Sequence, residues 1–206
     1  MSSIDKKNSH AIFAFSGLVV PYTQASAWLL GAPDPTQPEG HMQLPDWFSL
    51  LCGTHMLLYS IWNWLRDGPL AVLFERIKYT TDYARNPNDA SLAVLLPLLS
   101  PSIWLSAEQE KELDVCRSAL DRLRRKSAVH FSPCGTLGVK AAAHIWPGIV
   151  SQEYMGLLQR DNPEALIILA NYCVLLKSAG SCWYMEHHSE RLFREIDLRL
   201  DATWKP

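Results

Sequence analysis

Apolar and polar positions alternate with helical spacing along most of the chain. From Trp47 the apolar residues return at Leu50, Leu51, Leu57, Leu58, Ile61 and Leu65, the three-and-four step of one helix face. This predicts a helix from Asp46 to about Asp67, capped by Asp46 and stopped by Gly68-Pro69. Residues 9–30 predict one or two apolar helices with Pro21 as a kink. Residues 31–45 hold four Pro and two Gly and predict an irregular loop. Further helices are expected over 69–86, near 89–99, and from Ser106, where Gln109 completes a capping box. The helix from Ser106 runs from an acidic start to the basic end Arg122–Lys126, the order its dipole favours. Residues 137–160 predict a helix broken at Pro147.

Pro163 opens the next helix at its favoured first-turn position. Its sequence, PEALIILANYCVLL, is apolar on every side, so residues 163–177 are expected to form a buried central helix. A last helix is expected over 182–201, with Met185, His188, Leu192, Phe193, Ile196 and Leu200 as its apolar stripe. Pairs Glu190/Arg194, Arg191/Glu195 and Glu195/Arg199 line its other side. Strand-like alternation is absent. The expected fold class is all-α, a single-domain irregular helical bundle over residues 1–206 with an apolar pocket.

Composition narrows the function. The chain has 206 residues, 19 basic against 21 acidic, and a net charge of −2, which disfavours a basic nucleic-acid surface. The patch RLRRK could serve nuclear import or phosphate binding, or simply be a solvated helix end. The five Cys include no CxxC pair, so neither a disulfide framework nor a zinc cluster is expected. Cys182, His187 and His188 alone are too few to hold a metal. The N-terminus has no apolar signal region, and the longest apolar stretch, near Ala165–Leu176, is too short to span a membrane. There is no Gly-rich phosphate loop, no GxSxG and no HExxH, so no cofactor is expected.

Two polar residues interrupt apolar positions. Asn171 lies inside the apolar 163–177 helix, and His188 lies on the stripe of the last helix. Each is either bonded within the core or aimed at a ligand, since a buried amide or imidazole needs a partner. His55, at the edge of the 46–67 face, has the same two readings. The aromatic residues Trp47, Trp62, Trp64, Trp146 and Trp183, with Tyr172 and Tyr184, are either plain core or the walls of a ligand pocket, which is mostly apolar with a few placed polar groups.

Two stretches carry a family resemblance: DWFSLLCGTHMLLYSIWNWLRDGPLAVLF, and IWPGIVSQEYMGLLQRDNPEALIILANYCVLLKSAGSCWYMEHHSERLFREI. Together with HAIFAFSGLVVPYTQAS, they resemble the C-terminal regulatory domain of fungal zinc-cluster transcription factors of the sterol-uptake-control type. The resemblance runs from about His10 to Trp204. It implies an all-α fold with an apolar pocket for a sterol-like ligand whose binding controls transcription. The departures are specific. The six clustered Cys of the family's DNA-binding head have no counterpart here. Asn171 stands where the family usually has His, and His187 and His188 where it usually has Gly and Trp.

These readings lead to a stand-alone domain that binds a lipophilic, terpenoid-like or sterol-like small molecule, and to three uses for it. The first is a cofactor-free cyclase of the pericyclic or cycloaddition type, Diels-Alderase-like, acting in natural-product biosynthesis. Asn171 and His188 would be its catalytic donors. His55, Trp62, Tyr172, Tyr184, Trp183 and Trp47 would contact the substrate. The second is a ligand sensor, a transcription-regulator remnant without its DNA-binding domain. The third is an interaction module, with homodimerisation as its sign. The expected cavity lies between helices 46–67, 163–177 and 182–201. No nucleic acid and no membrane span are expected, and the location is cytoplasmic, or nuclear for a regulator.

Overall fold

The computed structural model describes residues 4–29, 40–73, 83–100, 105–130, 139–179 and 182–204. The fold is all-α, and no strand occurs among the described residues. In chain order the helices are α1 (Ser9–Leu29), α2 (Asp46–Arg66), α3 (Asp89–Ala93), α4 (Leu95–Leu98), α5 (Ala107–His130), α6 (Val139–Ile149), α7 (Gln152–Gln159), α8 (Pro163–Ser178) and α9 (His188–Arg199). None of the described helices is long and apolar enough to cross a membrane.

α8 is the hub. It packs against α5, α6, α7 and α9, while α2 packs on α6 and on α1. The aromatic centre holds Phe48, Trp146, Tyr154 and Tyr172, all essentially without solvent contact. Trp146 stacks on Tyr172 at 4.6 Å between ring centres, and Phe48 meets both edge-on. Each polar aromatic sends its hydrogen to a backbone carbonyl of another helix. Trp146 Nε1 donates to Ala119 at 3.1 Å, Tyr154 to Ala165 at 2.9 Å and Tyr172 to Ala143 at 2.9 Å.

The Tyr172 bond has a cause in the sequence. In α6 the carbonyl of Ala143 would ordinarily accept from the N–H four residues on, and that residue is Pro147, which has none. The Tyr172 hydroxyl fills the gap from a neighbouring helix. The helix therefore continues through Pro147, and the break expected there falls at Val150–Ser151. Ser151 then caps α7 by accepting from the Tyr154 N–H at 3.2 Å.

Other local signals behaved as expected. Ser106 and Gln109 form the reciprocal capping box, at 2.9 and 3.3 Å. Asn162 accepts from the Ala165 N–H at 2.9 Å with Pro163 in the first turn of α8. Three boundaries differ. Asp46 does not cap α2; Pro45 holds the cap position, and Asp46 is the first helical residue. The helix expected over 69–86 shows 3-10 turns at Ala71–Leu73 and Tyr83–Arg85, and residues 74–82 lie outside the described residues. The last helix starts at His188 rather than 182, because His187 adopts a left-handed backbone (φ 66°) after a run of tight turns. Of the loops expected at 31–45 and in HFSPCG, residues 31–39 and 131–135 lie outside the described residues, as do the first two residues of the helix expected over 137–160.

Candidate functional site

α8 has one open side. Ile167, Ala170, Asn171, Val174 and Ser178 fall on the three-and-four step of a seam that stays partly or largely exposed. Asn171 is thus half-buried rather than central, which corrects the expectation of a helix buried on all sides. Its Nδ2 donates to the Ile167 carbonyl at 2.9 Å, one turn back on its own helix. The side chain lines a recess of about 70 Å³ against α3 and α5, with Asn88, Ser91, Ser127 and Ser178. That volume holds a few waters and is far below that of a ligand pocket.

His188 lies elsewhere. It is buried where α9 meets α1 and α2, its ring edge-on to Trp47 at 5.6 Å. Its Nε2 donates to the Gln24 carbonyl at 3.0 Å, which fixes the proton on that nitrogen. Burial pushes its pKa down, opposed by backbone hydrogen bonds with Gln24 and Tyr184. The Gln24 amide donates to His144 Nε2 at 3.3 Å. Trp47 Nε1 and Gln24 Oε1, a donor and an acceptor, are both buried without a protein partner. Gln24 and His144 escaped the sequence reading. The available signal was a lone amide in an α1 that has no charged residue.

The named residues do not assemble into one site. Trp47, Tyr172 and His188 belong to connected parts of the packed interior, and they occupy the junction where the anchored cavity was expected. Asn171 opens instead toward α3 and α5. His55 sits at the α2–α6 crossing, edge-on to Tyr59 at 5.0 Å. A Cβ at Gly148 would lie 2.8 Å from that of His55, so this crossing needs a glycine. Burial pushes the His55 pKa down, helped by Lys126 and Arg122. Trp62 is partly exposed, and Trp183 is 69% exposed with its ring edge-on to the half-buried Tyr184.

A groove of about 430 Å³ lies between α8 and α9. Ala170, Cys173, Val174 and Phe193 form its apolar floor and wall, and Lys177, Glu190, Arg194 and Asp197 its rim. Phe193 and Val174 are each 51% exposed, although Phe193 was expected on the buried stripe. Met185, His188, Leu192 and Ile196 of that stripe are buried, joined by Ser189, and Phe193 alone is largely exposed. Lys177 and Glu190 face each other at 3.7 Å across one end. The Cys173 thiol is held at a pKa of about 12 by burial, so it stays protonated near neutrality and is no nucleophile.

The basic run Arg122–Lys126 is engaged by its own chain. Arg122 donates to the Ile149 carbonyl, Arg124 grips Asp89 through two bonds at 2.9 and 2.7 Å, and Arg125 pairs with Asp121 at 2.8 Å. Lys126 is half-buried with its pKa pushed down by burial. Among the described residues no three His, Cys, Asp or Glu side chains come together as metal ligands, and Cys134 lies outside those residues. No known family, curated protein or solved structure matches this chain.

Proposed function

We propose that this chain binds a lipophilic, terpenoid-like small molecule in the α8–α9 groove and promotes its cofactor-free cyclisation by holding it in a reactive shape. The observation that carries the reading is the groove itself. Its volume of about 430 Å³ falls within the range of small-molecule sites, with an apolar floor and a few charged groups at the rim. The neutral Cys173 thiol supplies neither a nucleophile nor a base, so the chemistry that suits this lining is confinement of a reactive conformer. Lys177 and Arg194 stand where a substrate oxygen would find a hydrogen-bond donor. Asn171 and His188, the donors expected from sequence, do not line this groove, and the proposal no longer rests on them.

One observation favours a second reading. The groove runs along the surface between two helices, so part of a bound molecule faces outward where another protein can read it. That suits the sterol-like sensor implied by the resemblance to zinc-cluster regulators.

The test is incubation of the purified chain with a linear terpenoid polyene carrying a conjugated diene and a dienophile, followed by native mass spectrometry and product analysis. The expected result is a retained ligand and a cyclised product formed faster than in buffer, both lost in Val174→Asp and Phe193→Asp. Retention without turnover supports the sensor. No retention of the polyene or of a sterol overturns both readings.

A further inference from the structure

Val174 belongs to two recesses at once. It lines the α8–α9 groove, and it lines the recess of about 70 Å³ where α8 faces α3 and α5. The two adjoin across the open seam of α8, with Val174 as the ridge between them. Their linings differ in kind. The groove has an apolar floor, whereas Asn88, Ser91, Ser127, Asn171 and Ser178 make the small recess polar, and none of its described lining residues is charged.

Ser127 is the informative wall. It is 5% exposed, and its hydroxyl has no hydrogen-bond partner among the described residues. Helical serines commonly bond back to a carbonyl of the preceding turn, as Ser16, Ser60 and Ser178 do here at 2.8, 2.8 and 2.6 Å. A hydroxyl shut away from bulk water and left unbonded is unfavourable, so Ser127 calls for a partner entering the recess. Two neighbours have polar atoms to spare. Asn88 holds the cap position of α3 without using its side chain as the cap. Asn171 commits one N–H to the Ile167 carbonyl, which leaves its Oδ1 and its second N–H.

We infer that the small recess takes the neutral polar end of the molecule whose apolar body lies in the groove. That end both donates and accepts hydrogen bonds, as a hydroxyl or a carboxamide does. The inference rests on the groove reading above and narrows its ligand to a molecule with one such end. The lining selects this class. Serine hydroxyls and asparagine amides offer donors and acceptors together. A carboxylate or an ammonium would give up its water to a wall that holds no opposite charge. The size agrees, since about 70 Å³ admits a small end group and no more. A helix with its side chains is about 10 Å across, so a ligand reaching over the Val174 ridge spans roughly that distance, which a sesquiterpenoid chain bridges.

Three probes with one sesquiterpenoid skeleton test this: farnesene, which ends in hydrocarbon, farnesol, which ends in a hydroxyl, and farnesoic acid, which ends in a carboxylate. Equilibrium dialysis gives their dissociation constants with the full chain. Farnesol binds roughly tenfold more tightly than either of the others, the effect of one well-made hydrogen bond. Ser127→Ala removes that advantage, leaves farnesene binding as it was and does not lower the melting temperature, since the hydroxyl it deletes holds no bond within the described chain. In nitrogen–proton correlation spectra, the side-chain signals of Asn88 and Asn171 move with farnesol and stay in place with farnesene. Farnesene bound as tightly as farnesol overturns this inference and leaves the groove reading standing, with the recess holding water only. An alcohol advantage that survives Ser127→Ala also overturns it. Tighter binding of the acid puts the end group at Lys177 and Arg194 and does the same. Failure of all three probes to bind overturns the groove reading itself, and this inference with it.

Discussion

Replacing Tyr172 with Phe removes one oxygen from the centre of the protein and leaves the Ala143 carbonyl with no donor. That carbonyl already lacks its helical partner, because residue 147 is proline. A typical hydrogen bond contributes about 0.5–1.5 kcal/mol, whereas a buried carbonyl left without a partner costs about 1–3 kcal/mol. Tyr172→Phe should therefore destabilise by roughly 2 kcal/mol. For a chain of this size, that lowers the melting temperature by about 4–8 °C. Pro147→Ala restores an N–H four residues beyond Ala143, so in that background Tyr172→Phe should cost only about 0.5–1 kcal/mol. Urea melts of the four proteins in this cycle give the coupling, expected near 1 kcal/mol. Tyr154→Phe is the control. The Ala165 carbonyl that Tyr154 meets also receives its ordinary helical N–H, so this loss should be that of a single bond, about 1 kcal/mol. Equal costs for Tyr172→Phe in both backgrounds, within about 0.3 kcal/mol, would refute the idea that Tyr172 substitutes for the donor that Pro147 lacks.

Asn171→Leu should leave the melting temperature unchanged or raised, because the amide it removes bonds only within its own helix, and polyene retention should stay at the wild-type level; a loss of retention in a stable variant would restore Asn171 as an anchor. His188 and His55 both hold pKa values below the 6.5 of an unperturbed ring, chiefly through burial, so the unfolded chain binds more protons in acid. Their contribution to stability is complete above about pH 6.5 and falls as pH drops toward the lowered folded values; His188→Phe should flatten that slope in pH-dependent urea melts, and an unchanged slope would show that His188 does not titrate. The Arg199 side chain is 5% exposed, pairs with Glu195 at 2.7 Å and Asp161 at 3.2 Å, and donates to the Gly40 carbonyl at 2.9 Å. Arg199→Met strands two partly buried carboxylates and should cost about 3 kcal/mol by denaturant titration; a loss below about 0.5 kcal/mol would mark the cluster as solvated.

The features legible in the sequence were those decided within a few residues. The Ser106–Gln109 box, the Pro163 start and the all-α class follow from capping, fixed φ and periodicity, and the structure shows each of them. What eluded it depended on which helix covers which face. PEALIILANYCVLL is apolar on all sides, yet the Asn171–Val174–Ser178 seam lies open, because none of the described helices closes over it. Pro147 reads locally as a break, and the helix passes through it with a hydroxyl from residue 172 taking up the carbonyl that Pro147 leaves free. Phe193 and Leu192 are adjacent in a single apolar stripe, and the packing against α8 buries only Leu192. The groove that Phe193 helps to wall arises from that one-position turn, which periodicity does not resolve. Gln24 drew no attention as a lone amide, and its place emerged only with His188 and His144 on either side.

The bond from His188 to Gln24 joins residues 164 positions apart, and that from Arg199 to Gly40 spans 159. Loops that long are entropically slow to close, so these contacts form after the local ones between α5 and α8. The folding order that follows is a core of α5 to α8 condensing first, with α1 and α9 sewn together last as a clasp. Contacts absent from the folding transition state act on the rate of unfolding rather than of folding. The clasp is thus a kinetic lock: loosening it should leave the refolding rate nearly unchanged while the native state unravels sooner.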